Sequence, residues 1–101
     1  MQSFGQKIRT FRKAKAKLLR QAAADLEMDQ ATLSKLENGI LLPNTRILQK
    51  LSEYYTVPLE DLKTPAHAEK IVRDYGHYEQ IQEVIGLVKE LLESYEPKPK
   101  E

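Results

Sequence analysis

The sequence contains no cysteine and no tryptophan, and only four of its 101 residues are glycine. Without cysteine, the chain has no disulfide, no thiolate metal site and no thiol nucleophile, which fits a reducing compartment. Apolar runs such as residues 40–42 (ILL) are far shorter than the roughly 20 residues that cross a membrane. Residues 1–10 lack the apolar segment of a secretory signal. We therefore expect a cytoplasmic protein.

Acidic residues are missing from the start of the chain. The first 24 residues carry seven basic side chains and no acidic one. Residues 1–64 contain eleven basic and seven acidic side chains, whereas residues 65–101 contain five and eight, so the net charge of +1 conceals a basic first part. This asymmetry indicates an anionic partner for the N-terminal part. The alternative is a solvated basic helix without a partner.

Alternating patterns typical of β-strands are also absent, and the apolar residues recur at helical spacing instead. Predicted helices cover residues 3–15, 19–27, 30–37, 45–55, 59–62, 66–75 and 78–95. Ser3, Asp29 and Asn44 are predicted N-caps, and Gln6 is the predicted capping-box partner of Ser3. Asn38 and Gly39 end the third helix, because both residues tolerate a left-handed backbone. The sequence therefore predicts an all-α protein.

The segment after Pro65 has a different character. Pro65 marks a predicted boundary between residues 1–64 and a helical extension over residues 65–96, and residues 97–101 are expected to be a disordered tail. The last predicted helix carries an apolar stripe that is wider than a small domain needs for its own core, which favours a dimer interface. The residues of this stripe are Ile81, Val84, Ile85, Val88, Leu91, Leu92 and Tyr95. One side of the stripe would pack on Ile71, Val72 and Tyr75. The alternative is that this helix folds back on its own domain and leaves a monomer.

The second and third predicted helices, joined by a tight turn, form a helix-turn-helix pattern. At helical spacing, Leu33, Leu36 and Glu37 share one side of the third helix, and the opposite side is small, amide-bearing and cationic. In a major groove, glutamine pairs with adenine, lysine pairs with guanine, and alanine or the threonine methyl group contacts thymine. The candidate base contacts are Gln30, Ala31, Thr32, Ser34 and Lys35. An ordinary solvated helix face has a similar composition.

Three stretches of the sequence resemble the XRE family, which comprises bacterial and phage regulators with the helix-turn-helix of the lambdoid repressors and Cro. They are residues 4–12 (FGQKIRTFR), 21–24 (QAAA) and, above all, 30–39 (QATLSKLENG). The resemblance covers about residues 4–63. It implies a five-helix DNA-binding domain that usually works as a dimer.

The resemblance also implies a tying ion pair between Arg12 and Glu37, because these positions match such a pair in the family. Arg12 follows Ile8 by one helical turn and so lies at the edge of the core face. We expect phosphate contacts from Lys17, Arg20, Gln21, Asn38 and Arg46.

Two positions depart from the family pattern. Leu18 and Leu19 stand where the family usually has a polar cap and a glutamine that binds phosphate. Glu27 replaces the usual glycine of the turn, at a cost of about 1–2 kcal/mol if its backbone is left-handed.

We therefore expect a sequence-specific regulator of transcription that binds a palindromic site in double-stranded DNA as a homodimer. No catalytic site, metal site or cofactor is expected, since His67 and His77 lie ten residues apart without acidic partners at ligand or catalytic spacing. An antitoxin or anti-repressor, whose main role is to bind a protein partner, is the alternative. Gln30 and Lys35 on the outward face of the third helix favour the regulator.

Overall fold

The computed structural model describes residues 2–97. It contains six helices, which are α1 (Phe4–Ala14), α2 (Leu19–Asp25), α3 (Gln30–Glu37), α4 (Thr45–Tyr55), α5 (Leu59–Tyr75) and α6 (Ile81–Glu93). Residues 2–97 include no strand, so the predicted all-α class is confirmed. No helix in this range combines the length and the apolar character that a membrane crossing requires. Of the predicted tail, residues 98–101 lie outside the described residues.

Side chains at the helix starts explain where α1 and α4 begin. Ser3 Oγ accepts from the Gln6 amide at 3.1 Å and Gln6 Oε1 accepts from the Ser3 amide at 2.9 Å, which is the predicted capping box. Asn44 Oδ1 accepts from the Ile47 amide at 2.9 Å. Asp29 occupies the N-cap position of α3, but its side chain makes no capping hydrogen bond to the described residues.

Four helices, α1 to α4, end on a residue with a left-handed backbone. After each such residue, the next amide donates to a carbonyl five positions earlier, as in the Schellman motif; the bonds are Lys17 to Arg12, Met28 to Ala23, Ile40 to Lys35 and Val57 to Ser52. Gly39 has φ 75°, which agrees with its predicted role as the end of α3. The other three residues are not glycine, and Ala16, Glu27 and Thr56 have φ 57°, 56° and 53°. A side chain in this region costs about 1–2 kcal/mol. The departure from glycine at Glu27 therefore carries strain.

The predicted helix break at Pro65 is wrong. α5 runs from Leu59 through Pro65 to Tyr75, so the predicted helices over residues 59–62 and 66–75 are one. A proline inside a helix leaves the carbonyl four residues earlier without its amide partner. Lys7 Nζ of α1 donates to this carbonyl, Asp61 O, at 3.0 Å and replaces the missing bond.

The continuation of α5 is also tied to the start of α1. Ala66 is buried in the core. Glu69 Oε2 accepts from the Phe4 amide at 2.6 Å. A carboxylate is stabilising there because the first amides of a helix carry a partial positive charge. The residues just beyond Pro65 therefore complete the packing of the preceding helices.

The chain divides into two compact units, an N-terminal unit that ends at Lys70 and a C-terminal unit that begins at Ile71. The N-terminal unit contains the hydrophobic core, formed by Phe4, Ile8, Ala22, Ala23, Leu26, Leu33, Leu36, Leu48, Leu51, Leu62 and Ala66. Gly5 allows α1 to approach α3 closely, because a Cβ atom at this position would lie 2.7 Å from Leu36 O and would clash with Glu37 O. Backbone contact therefore fixes α3 on α1.

Within residues 71–97, the C-terminal unit has no core of its own. Among its residues up to position 97, none is buried. α6 is shorter than predicted at both ends, and the residues before it form turns, in which the Ile81 amide donates to Tyr78 O at 3.2 Å. Ile71 and Val72, expected to cover one side of the last helix, remain 53% and 67% exposed.

Candidate nucleic-acid interface

The helix-turn-helix consists of α2, residues 26–29 and α3. Ala22 and Ala23 of α2 are buried, and their small side chains let the two helices pack closely. Leu33 and Leu36 bury the inner side of α3 completely. The end of α2 is held by Lys50, whose Nζ donates to Leu26 O at 3.2 Å. α3 is therefore held rigidly, with one face left for a ligand.

The residues predicted to contact bases are distributed over the accessible part of α3. Gln30, Ala31 and Lys35 are exposed, and Thr32 and Ser34 are partly buried. The face thus presents an amide, a hydroxyl and a cation, separated by small side chains that permit a close approach of the helix backbone. This is a set of donors and acceptors that suits base edges in a major groove.

The predicted phosphate contacts lie at or near the ends of α2, α3 and α4. Arg20 and Arg46 are exposed in the first turns of α2 and α4. Gln21 Oε1 accepts from the Leu18 amide at 2.9 Å, which is one half of a capping box and leaves the Gln21 amino group as a donor. The Gln21 amide, which a polar cap would bind, donates to Leu18 O at 3.0 Å instead. Lys17 is partly buried and pairs with Asp25, Nζ to Oδ2 3.4 Å.

At the end of α3, Glu37 is a buried carboxylate with cationic partners. Arg12 Nε donates to Glu37 Oε2 at 2.8 Å and Arg12 Nη2 donates to Glu37 Oε1 at 3.1 Å, so the two residues form a bidentate pair. Only 13% of the Arg12 side chain and 2% of the Glu37 side chain are exposed. The hydrogen bonds to Glu37 raise the pKa of Arg12. Arg12 Nη1 also donates to Lys17 O at 2.9 Å. The pair therefore fastens α3 to α1 and to the segment before α2.

Arg9 is a second partner that the sequence analysis missed. Its Nε donates to Glu37 Oε1 at 3.3 Å, and its Nη2 donates to Asn38 Oδ1 at 2.6 Å. Asn38 Nδ2 in turn donates to Ser34 Oγ at 3.3 Å. Arg9 precedes Arg12 by three residues on α1, a spacing that places both on one helix face. This spacing is the feature of the sequence that indicates Arg9 as a second partner of Glu37.

Tyr54 of α4 contacts residues at the ends of α1 and α2. Tyr54 Oη donates to Asp25 Oδ2 at 2.6 Å. This hydrogen bond, supported by Lys17, holds the pKa of Asp25 below its ordinary value, and burial raises the pKa of Tyr54 to about 12. Lys15 Nζ lies 5.0 Å from the centre of the Tyr54 ring, within the range of a cation–π contact. These contacts connect the ends of α1 and α2 to α4.

The predicted dimer interface lies in the C-terminal unit. Val84, Ile85, Val88, Leu91 and Leu92 are exposed along α6, and Tyr95 is exposed after it. Ile81 is partly buried. Tyr78 contacts His77 and Tyr75, with ring centres 4.4 and 5.9 Å apart. Six of the seven residues predicted to form the interface are thus exposed, and we call all seven the α6 stripe.

Comparison with known proteins agrees with the geometry of the first four helices. A family model described as helix-turn-helix matches residues 8–62, more than half of the chain. The protein belongs to the XRE family of helix-turn-helix proteins. No curated protein and no solved structure gives a significant match. This family consists of DNA-binding regulators that are generally not enzymes, so the protein is a DNA-binding regulator of transcription. The matched range ends before the C-terminal unit begins.

Proposed function

We propose that the protein recognises a specific sequence in double-stranded DNA as a homodimer and regulates transcription from that site. α3 would enter the major groove, with Gln30, Ala31, Thr32, Ser34 and Lys35 against the base edges. The observation that carries this proposal is the division of α3 into a fully buried apolar side and an accessible side with amide, hydroxyl and ammonium groups.

Phosphate contacts would supply most of the affinity, and base contacts the selectivity. Arg20, Arg46 and the free amino group of Gln21 lie at the starts of α2 and α4, and Asn38 lies at the end of α3. We assign phosphate contacts to these four residues, with a contribution from Lys17. The excess of basic side chains in residues 1–64 favours this assignment.

Dimerisation would use the α6 stripe. Exposed apolar patches of this extent usually mark an interface. The charged residues of α6, namely Glu83, Lys89, Glu90 and Glu93, would form a polar rim. A two-fold dimer places two recognition helices about 34 Å apart, on successive major grooves of one face of the duplex. The target site would then be palindromic.

Selection of bound sequences from a random DNA pool tests the proposal. We expect an enriched palindrome, and failure to enrich any sequence would contradict it. On the selected duplex, Lys35→Ala and Gln30→Ala should each lose about 1–3 kcal/mol of discrimination at particular base pairs. Arg20→Ala should instead weaken binding to selected and random duplexes alike and lower the magnitude of the slope of log K against log salt by roughly one unit per half-site. If Lys35→Ala lost equal affinity for both duplexes, Lys35 would be a phosphate contact rather than a base contact.

A second candidate function is favoured by the same exposed surface. In an antitoxin or anti-repressor, the α6 stripe would hold a different protein rather than a second copy. The two candidates differ in the oligomeric state of the isolated protein. The regulator is a dimer, whereas the antitoxin or anti-repressor is a monomer with an uncovered α6 stripe. Sedimentation of the purified chain at tens of micromolar separates them.

A further inference from the structure

Arg9 makes two contacts at the end of α3 that the proposed DNA contacts do not use. Its guanidinium reaches Glu37 Oε1 at 3.3 Å and Asn38 Oδ1 at 2.6 Å. The shorter of the two bonds goes to the neutral amide rather than to the carboxylate. The Arg9 side chain is 37% exposed, whereas that of Arg12 is only 13% exposed.

Glu37 does not depend on Arg9 for its charge partner. Arg12 already gives the carboxylate two hydrogen bonds, to Oε2 at 2.8 Å and to Oε1 at 3.1 Å. Arg9 is therefore a second cation at a pair that is already neutral. The contact that only Arg9 provides is the one to Asn38.

This contact fixes the orientation of the Asn38 amide. An asparagine side chain has one carbonyl oxygen and an amino group with two hydrogens. Arg9 occupies the oxygen through a charge-assisted hydrogen bond, the stronger class of such bonds. One amino hydrogen is directed to Ser34 Oγ at 3.3 Å. The second amino hydrogen has no partner within residues 2–97 and remains for a ligand on this exposed surface.

We propose that Arg9 is a positioning residue for DNA binding, which holds the Asn38 amide so that its remaining N–H donates to a phosphate oxygen. The inference rests on the proposed function, in which Asn38 contacts the backbone. Arg9 also restrains Ser34, a proposed base contact, through the same amide. The DNA-facing end of α3 is thereby aligned by a side chain of α1 that need not touch DNA.

A direct contact between Arg9 and a phosphate is the competing explanation, and the two differ in measurable ways. A cation that neutralises a phosphate releases counterions, and its loss lowers the magnitude of the slope of log K against log salt by about 0.9 per half-site. The neutral Asn38 amide contributes little to that slope. A residue that acts through Asn38 also has no effect once Asn38 is removed.

The test is a double-mutant cycle on the selected duplex, with wild type, Arg9→Ala, Asn38→Ala and the double variant measured over a salt series. Each single variant should weaken binding about five- to tenfold per half-site, as expected for one lost hydrogen bond. The double variant should bind no more weakly than either single variant. Lys13→Ala is the matched control, because Lys13 is an exposed cation one turn further along α1. Arg9→Ala should change the salt slope no more than this control does.

Additive losses, a slope about 0.9 per half-site smaller in magnitude than in the control, or unchanged binding of Arg9→Ala would each overturn the inference. Circular dichroism and the thermal midpoint check folding, which should persist because Arg12 still pairs with Glu37. If Arg9→Ala does not fold, Arg9→Met retains the aliphatic stem and removes both donors. Wild-type protein that selects no DNA sequence would instead refute the proposed function.

Discussion

The two units of the protein are similar in composition but opposite in burial. Of the 31 residues from Ile71 onward, twelve are hydrophobic, a share close to the 41% of the whole chain. The N-terminal unit nevertheless buries eleven apolar residues, whereas the C-terminal unit buries none up to residue 97. Apolar content is therefore not what makes a core. The N-terminal unit packs several short helices around one core, whereas the C-terminal unit leaves the apolar residues of α6 exposed or partly buried.

The largest effect expected within one unit is the loss of the buried ion pair. Arg12→Ala leaves Glu37 buried with only the longer bond from Arg9, and removing one member of a buried pair costs about 3–5 kcal/mol. We expect the lower end of this range because Arg9 remains. Urea denaturation at one protein concentration measures the free energy of unfolding. Lys13→Ala, which removes an exposed cation of α1, is the control and should change this free energy by less than about 0.5 kcal/mol.

Substitutions of two glycines, one in each unit, test how closely the helices are packed. Gly5→Ala places a methyl group against the carbonyls of Leu36 and Glu37, and overpacking of this kind costs about 1–3 kcal/mol. Gly86→Ala meets no atom within 4 Å beyond its own helix among the described residues, and should stabilise α6 by about 1 kcal/mol. Thermal unfolding should therefore shift down for Gly5→Ala and up for Gly86→Ala. Equal shifts would mean that α1 and α3 are not in backbone contact.

The strained turn of the helix-turn-helix allows a smaller, stabilising change. Glu27→Gly should raise the free energy of unfolding by about 1 kcal/mol, because glycine adopts φ 56° without the clash that a Cβ atom makes. Gly39→Ala, at φ 75° with open space around it, is the mirror-image control and should lower it by a similar amount. Denaturant titration of both variants measures the signs. A destabilised Glu27→Gly protein would show that the carboxylate makes a stronger contribution than the strain.

The smallest effect concerns the pKa of one surface carboxylate. Tyr54 holds the pKa of Asp25 below its ordinary value of 3.8. Asp25 therefore contributes stability above that value, and the contribution is lost as the pH falls through the lowered folded-state pKa. In Tyr54→Phe the pKa of Asp25 should rise, which NMR titration of the carboxyl carbon can follow. An unchanged pKa would show that the hydrogen bond from Tyr54 does not lower it.

Local sequence signals predicted the ends of a helix correctly where residues next to that helix form its caps. α3 and α4 begin and end at the predicted residues, because Asn44 caps one and Gly39 ends the other. The same signals failed at Pro65, since the carbonyl that proline leaves unpaired is satisfied by Lys7, 54 residues earlier in the chain. The presence of a proline alone does not indicate whether a distant side chain will satisfy the unpaired carbonyl.

The candidate site was predictable to a similar extent. The inward and outward sides of α3 follow from helical periodicity, and the structure places them accordingly. The contact between Arg9 and Asn38 joins residues 29 positions apart. It depends on how closely α1 crosses α3, which in turn depends on Gly5. The sequence shows that each of these residues is present, but it does not show how far apart they lie in the folded protein.

We propose that the N-terminal unit binds DNA and that the C-terminal unit joins two copies of the protein. This division is tested by comparing wild-type protein with Val88→Glu/Leu91→Glu on a duplex with two inverted half-sites and on a duplex with one. We expect wild type to sediment as a dimer and to prefer the double site by roughly tenfold or more. The variant should be a folded monomer by sedimentation and circular dichroism, and it should lose this preference. A monomeric wild type at tens of micromolar, or a variant that remains dimeric and retains the preference, would show that the C-terminal unit does not have this role.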